Sequence, residues 1–187
     1  MEMDILRKPY VSQTADSNSC GAHSIAYYLW ETDKSEFVND KKFVANIHKN
    51  IEVGPNLIGI PENYSSPNMM AEELKKNWQT VVSACMLPNS PLAPIYQGLN
   101  IITENKDVMS EVKTGASKYV IIMCSLGMTW ALHYMLVKYE NSKFKLLDSL
   151  YSLDNVVWED FSLEINGKLT LDRESDYYYS GTGILIK

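Results

Sequence analysis

The chain has 187 residues, 45% of them hydrophobic and 21% charged, which suits one globular domain over 1–187 with a core large enough to need no disulfide staples. A formal net charge of -6 with no Lys/Arg cluster argues against a nucleic-acid partner. No apolar run approaches the roughly 20 residues of a membrane span, so no membrane partner is expected either.

The N-terminal run MEMDILRKPYVSQ lacks the apolar stretch of a secretory signal, so the expected location is cytoplasmic, or outside the cell by a non-classical export route. Directly after it, apolar residues at Ala22, Ile25, Ala26, Leu29 and Trp30 follow an i, i+3, i+4, i+7, i+8 pattern, one face of a helix that opens at Cys20. Val38 to Ile51 reads as a second helix. The segment from Gly54 to Asn68, with Pro55, Pro61 and Pro67, reads as a loop. MMAEELKKNW (69–78) is helical by propensity and period. Pro88, Pro91 and Pro94 mark an irregular connection, and Lys106 to Lys113 a short helix ending at Gly115.

Beyond residue 117 the character changes. KYVIIMCSL (118–126), ALHYMLVKY (131–139), KFKLLDS (143–149) and the closing GILIK are rich in β-branched and aromatic residues and predict strands. Helices precede strands without βαβ alternation. This indicates an α+β fold with a largely antiparallel sheet.

Three cysteines, Cys20, Cys85 and Cys124, are an odd number with no metal-type spacing, so neither a disulfide framework nor a metal site is expected. Cys85 and Cys124 suit packing. Cys20 stands where a helix begins. A helix N-terminus presents unpaired N–H groups and about half a positive charge, which favours a thiolate, the nucleophilic form of cysteine. Gly21 leaves room for a ligand beside the sulfur, and the Gln13 amide can join the Cys20 N–H in holding an oxyanion. The alternative is a small apolar residue opening a buried helix.

A nucleophilic cysteine needs a base. Of three histidines, His48 lies near a helix end in polar surroundings. His23, one turn after Cys20, suits packing or support. His133 sits in ALHYMLV, where both strand faces are otherwise apolar, so its ring must find a partner. Asp148 ends the apolar run of the next strand. A turn at Glu140–Asn141 would set His133 directly opposite Asp148. A turn at Asn141–Ser142 would make Asp148 a diagonal neighbour on the same face. Either two-residue turn offers a carboxylate to the imidazole, whereas a three-residue loop would exchange faces and break the alignment; Asp154 is a less well placed substitute.

The segments KPYVSQ, SCGAHSIAYYL, ALHYMLV and LLDS together resemble the papain-like cysteine peptidase superfamily, in the flavour of the bacterial double-glycine leader peptidases. The order Gln, Cys, His, Asp fits that superfamily. The ubiquitin-like proteases carry a permuted order. The resemblance spans about the first thirty residues and 118–149, and nothing in 33–117 contributes to it.

It implies a papain-like fold: an N-terminal helical half with the Cys20 helix, packed on a C-terminal antiparallel sheet carrying His133 and Asp148. It further implies Cys20 as nucleophile, His133 as base and acid, Asp148 as orienter and Gln13 as oxyanion donor. No cofactor or metal is implied. The expected activity is that of a thiol hydrolase cleaving a peptide or amide bond in a peptide or protein substrate. The alternatives are a glutamine deamidase or acyltransferase of the bacterial effector type, and a catalytically inactive binding module. Trp130, before the His133 strand, is a candidate cleft wall, and YYYSG (177–181) a candidate packing strand at a sheet edge.

Overall fold

A computed structural model describes residues 10, 12–13, 18–36, 40–53, 64–101, 103–127, 131–150 and 156–187. Its elements run α1 (Cys20–Glu31), α2 (Lys41–Ile51), β1 (Glu52–Val53), β2 (Tyr64–Ser65), α3 (Pro67–Trp78), β3 (Val82–Met86), α4 (Ala93–Gly98), α5 (Val108–Lys113), β4 (Tyr119–Leu126), β5 (Leu132–Glu140), β6 (Lys143–Leu147), β7 (Glu159–Leu163), β8 (Lys168–Leu171) and β9 (Tyr177–Ile186).

The expected papain-like fold, a helical half packed on a C-terminal antiparallel sheet, is not what forms. Six antiparallel strands, β9-β4-β5-β6-β7-β8, close into a barrel through a β8–β9 pairing, and β3 is added outside the ring along β9. The reason lies in β9. Its partnership with β4 shifts register between Met123 and Cys124, leaving Ser180 and Gly181 as extra residues. Gly181 takes φ +76°, so the strand bends sharply there. Residues 177–178 then turn to pair with β8, while 182–186 pair with β3. A strand bent this way serves two neighbours on one edge and closes the ring of six, with β3 left as the strand outside it. The short strands β3, β7 and β8 were not legible as strands in the sequence.

Closure gives the chain two cores. Val120, Ile122, Met135, Val137, Leu146, Leu169 and Leu185 fill the barrel, joined by Val108, Met109 and Val112 of α5. The alternate residues Tyr119, Ile121, Met123, Tyr134, Leu136 and Leu147 pack outward against α1, α2 and α3. Both faces of β4 and β5 are therefore buried, which is why their sequences are nearly continuous apolar runs.

Helix α1 lies at the centre of the outer layer. Every residue from Cys20 to Leu29 is buried, so the single apolar stripe read from the sequence is in fact burial all round. Its far end is fastened at Glu31, whose carboxylate accepts from Tyr10 and from Tyr119 Oη (3.1 Å) and Trp158 Nε1 (3.4 Å). Helix α2 starts at Lys41, later than the expected Val38, because Asp40 caps it by accepting from the Lys42 and Phe43 N–H groups.

Candidate active site

The last residues of β4, β6 and β8 and the first of β5, β7 and β9 gather at one end of the barrel, as antiparallel pairing requires. His133, Asp148, Arg173 and Tyr177 all come from these strand ends. The first turn of α1 meets them from outside.

Cys20 is the first residue of α1, and it is 6% exposed. Ser19 precedes it without a side-chain cap hydrogen bond. The room beside Gly21 is not left for a ligand: a Cβ there would lie 2.7 Å from both Cβ and Oγ of Ser65. Glycine at 21 lets β2 press against the start of α1. Ser65 is held in turn by Tyr134 Oη, which donates to its carbonyl at 2.9 Å.

The β5–β6 hairpin pairs Glu140 with Lys143 and turns at Asn141–Ser142, both at positive φ (53° and 62°). Leu136 faces Leu147, so His133 and Asp148 are diagonal neighbours on the barrel-facing side. Their side chains meet, with His133 Nε2 2.8 Å from Asp148 Oδ1. Nε2 is thereby taken, which leaves Nδ1 as the ring nitrogen open to the Cys20 thiol, the other side chain that acts on this imidazole. The two side chains are almost fully buried.

Asp148 is saturated. Oδ1 also accepts the Leu150 N–H at 2.9 Å, and Oδ2 accepts from Arg173 Nη2 at 2.7 Å and Tyr177 Oη at 2.6 Å. Four donors occupy the four lone-pair directions of one carboxylate. Arg173 is fixed from behind by Glu159, to which Nε donates at 2.8 Å and Nη2 at 3.0 Å. The Tyr177 ring stacks on the imidazole at 5.8 Å.

The electrostatics follow from these contacts. Burial pushes the Cys20 thiol up, but the hydrogen bond and charge of His133, with the backbone N–H groups of Tyr134 and Gly21, bring it below its ordinary value. Burial alone would lower His133. The hydrogen bonds to Asp148 and Cys20 outweigh it and raise the imidazole to about 9. Burial likewise opposes ionisation of Asp148, yet His133 and Tyr177 hold it well below the usual carboxylate range. The three shifts run in the direction that favours one arrangement: thiolate, imidazolium, carboxylate. The other two cysteines behave oppositely. Burial raises Cys85 to about 11 and pushes Cys124 far up, so both are packing residues.

Gln13 lies on the Asp148 side of the site. Its N–H donates to the Ser149 carbonyl at 2.9 Å, and its Oε1 accepts from Ser149 Oγ at 2.8 Å. The acceptor end of the amide is thus committed to Ser149. His23 is buried with its ring 5.9 Å from that of Tyr27. His48 sits in the last turn of α2, 4.0 Å from Glu52. Trp130 and Asp154 lie outside the described residues, as does most of the 54–68 segment. Among the described residues no group of three or more His, Cys, Asp or Glu side chains is placed to hold a metal ion. Likewise, no helix among them is long and apolar enough to cross a membrane.

Sequence reasoning missed Arg173, Glu159 and Tyr177. A signal was present for the first: the chain has only two arginines, Arg7 and Arg173, among 17 basic residues. At Arg173 a planar fork reaches two carboxylates, those of Glu159 and Asp148. Tyr177, assigned to edge packing, proves to be a hydrogen-bond donor to Asp148.

The sequence matches no protein-family model and no curated protein.

Proposed function

We propose that the protein is a thiol hydrolase that cleaves a peptide or amide bond through Cys20, His133 and Asp148. The observation that carries this reading is the continuous chain from the Cys20 thiol through the His133 ring to the Asp148 carboxylate, with the thiol shifted down and the imidazole up. The resemblance of the site segments to those of papain-like cysteine peptidases supports it through residue order and chemistry, independently of the barrel.

In this reading Cys20 Sγ, as thiolate, attacks the carbonyl carbon. The C=O electrons become an oxyanion, met by the Cys20 N–H and by the amide nitrogen of Gln13. The His133 imidazolium gives its Nδ1 proton to the leaving nitrogen as the C–N bond breaks, leaving a thioester on Cys20. Neutral His133 then takes a proton from water, whose oxygen attacks the thioester. The thiolate departs and the pair is restored. Asp148 stays ionised throughout and keeps the ring oriented.

The test is incubation of an unfolded protein substrate such as casein with wild type and Cys20→Ala, read by mass spectrometry. New fragments with wild type alone are expected. A gain of about one mass unit without chain cleavage would move the assignment to deamidation. Unchanged substrate with both proteins, together with no acyl adduct on Cys20 from an activated ester, would overturn the hydrolase reading.

A further inference from the structure

Asp148 makes more contacts than orienting one imidazole requires. An orienter needs one oxygen on the ring, and Oδ1 provides it at 2.8 Å. The opposite oxygen is held by two side chains from the far side of the barrel mouth, Arg173 between β8 and β9 and Tyr177 at the start of β9. We infer that Arg173 and Tyr177 are positioning residues of the site, a clamp on Asp148 Oδ2 that fixes Oδ1 on His133, with Glu159 fixing and neutralising the arginine. The inference rests on the proposed thiol chemistry and deepens it.

Three features support the clamp. The first is geometry. Donors on both oxygens oppose rotation of the carboxylate, so the ring cannot trade its acceptor for a poorer one. The second is charge. A lone Arg173 beside Asp148 would draw that negative charge away from the imidazolium. Glu159, with both oxygens on the guanidinium (2.8 and 3.0 Å), offsets the arginine and leaves Asp148 to act on His133. The third is the choice of residue. One guanidinium spans two carboxylates here, which the point charge of a lysine cannot do in the same plane. The other titratable side chains acting on Asp148 or affected by it are Tyr27 of α1 and Cys124 of β4. Burial holds both neutral well above neutral pH, so neither replaces the clamp.

The experiment is the pH profile of Cys20 alkylation by iodoacetamide for wild type, Arg173→Lys and Tyr177→Phe, each checked for folding by circular dichroism. Tyr177→Phe keeps the ring stacked on His133 and removes only the hydroxyl. Both variants are expected to fold, to move the thiol titration upward, and to alkylate about tenfold more slowly near pH 6.5, the effect of one pKa unit. Should Arg173→Lys fail to fold, Tyr177→Phe carries the test alone. Folded variants with the wild-type profile would overturn the clamp while leaving the thiol chemistry standing. A wild-type Cys20 that titrates as an ordinary thiol would overturn both.

Discussion

His133 and Asp148 meet diagonally across the β5–β6 hairpin, Nε2 to Oδ1 at 2.8 Å, with both side chains almost fully buried. The contact depends on the carboxylate being ionised. Replacing it by an amide in Asp148→Asn leaves the imidazolium without its charge partner and the four donors around it with one acceptor oxygen in place of two. Alkylation of Cys20 near pH 6.5 is expected to fall at least about tenfold. Stability in urea is expected to fall by about 2 kcal/mol, since Glu159 still holds the arginine.

The same shifts shape stability against pH. His133, raised to about 9, contributes stability that is fully present below its unfolded value of about 6.5 and is lost as pH rises toward 9. Cys20, lowered, contributes stability that is present above its unfolded value of about 8.5 and is lost as pH falls. Where both act, the slopes oppose each other, because forming the ion pair moves a proton from one residue to the other without net uptake. Wild-type stability in urea is therefore expected to be nearly flat between about pH 7 and 8.5. In Cys20→Ser only the His133 slope remains, and stability is expected to decline over that interval. Parallel slopes for the two proteins would contradict a thiolate–imidazolium pair. Asp148 adds an acid limb: its contribution is present above about pH 4 and is lost below it.

Gly21 tests how the Cys20 turn is seated. An alanine Cβ would lie 2.7 Å from Ser65 and 3.1 Å from the Met70 sulfur. Alanine favours a helix by up to about 1 kcal/mol over glycine, but overpacking costs about 1–3 kcal/mol. Gly21→Ala is expected to destabilise overall in urea unfolding, and Ser65→Gly in the same chain to recover part of the loss by opening space.

The hairpin turn sets the register that brings His133 to Asp148. Ser142 holds φ +62°, a conformation that glycine adopts without strain. Ser142→Gly is expected to raise stability by up to about 1 kcal/mol, with Cys20 alkylation unchanged. A loss of stability would mean that the turn is not of this type.

Much of the site could be read from the sequence because its signals are local. A cysteine before an apolar helical stretch, a histidine alone in an apolar strand, and an aspartate closing the next strand each stand out within a few residues. The polar residues between the strands allow a two-residue turn at Glu140–Asn141 or at Asn141–Ser142, or a three-residue loop, and turn chemistry does not separate them. Barrel closure was not legible. It depends on the bend at Ser180–Gly181 and on the short strands β7 and β8, whose pairings join residues far apart in the chain. The clamp on Asp148 was hidden for the same reason, since Arg173 and Tyr177 reach the site only once the barrel is closed. Glycine at 21 was read as space for a ligand, and the space is filled by Ser65 from a segment that showed no period of its own.

The most direct test of the thiolate–imidazolium pair is alkylation of Cys20 by iodoacetamide across pH, read by peptide mass, in wild type and His133→Ala. Wild-type Cys20 is expected to react well below the ordinary thiol value of about 8.5, and the variant to lose this low-pH reactivity. A Cys20 that titrates as a free thiol, or that is inert in both proteins, would contradict the thiolate–imidazolium pair on which the proposed chemistry rests.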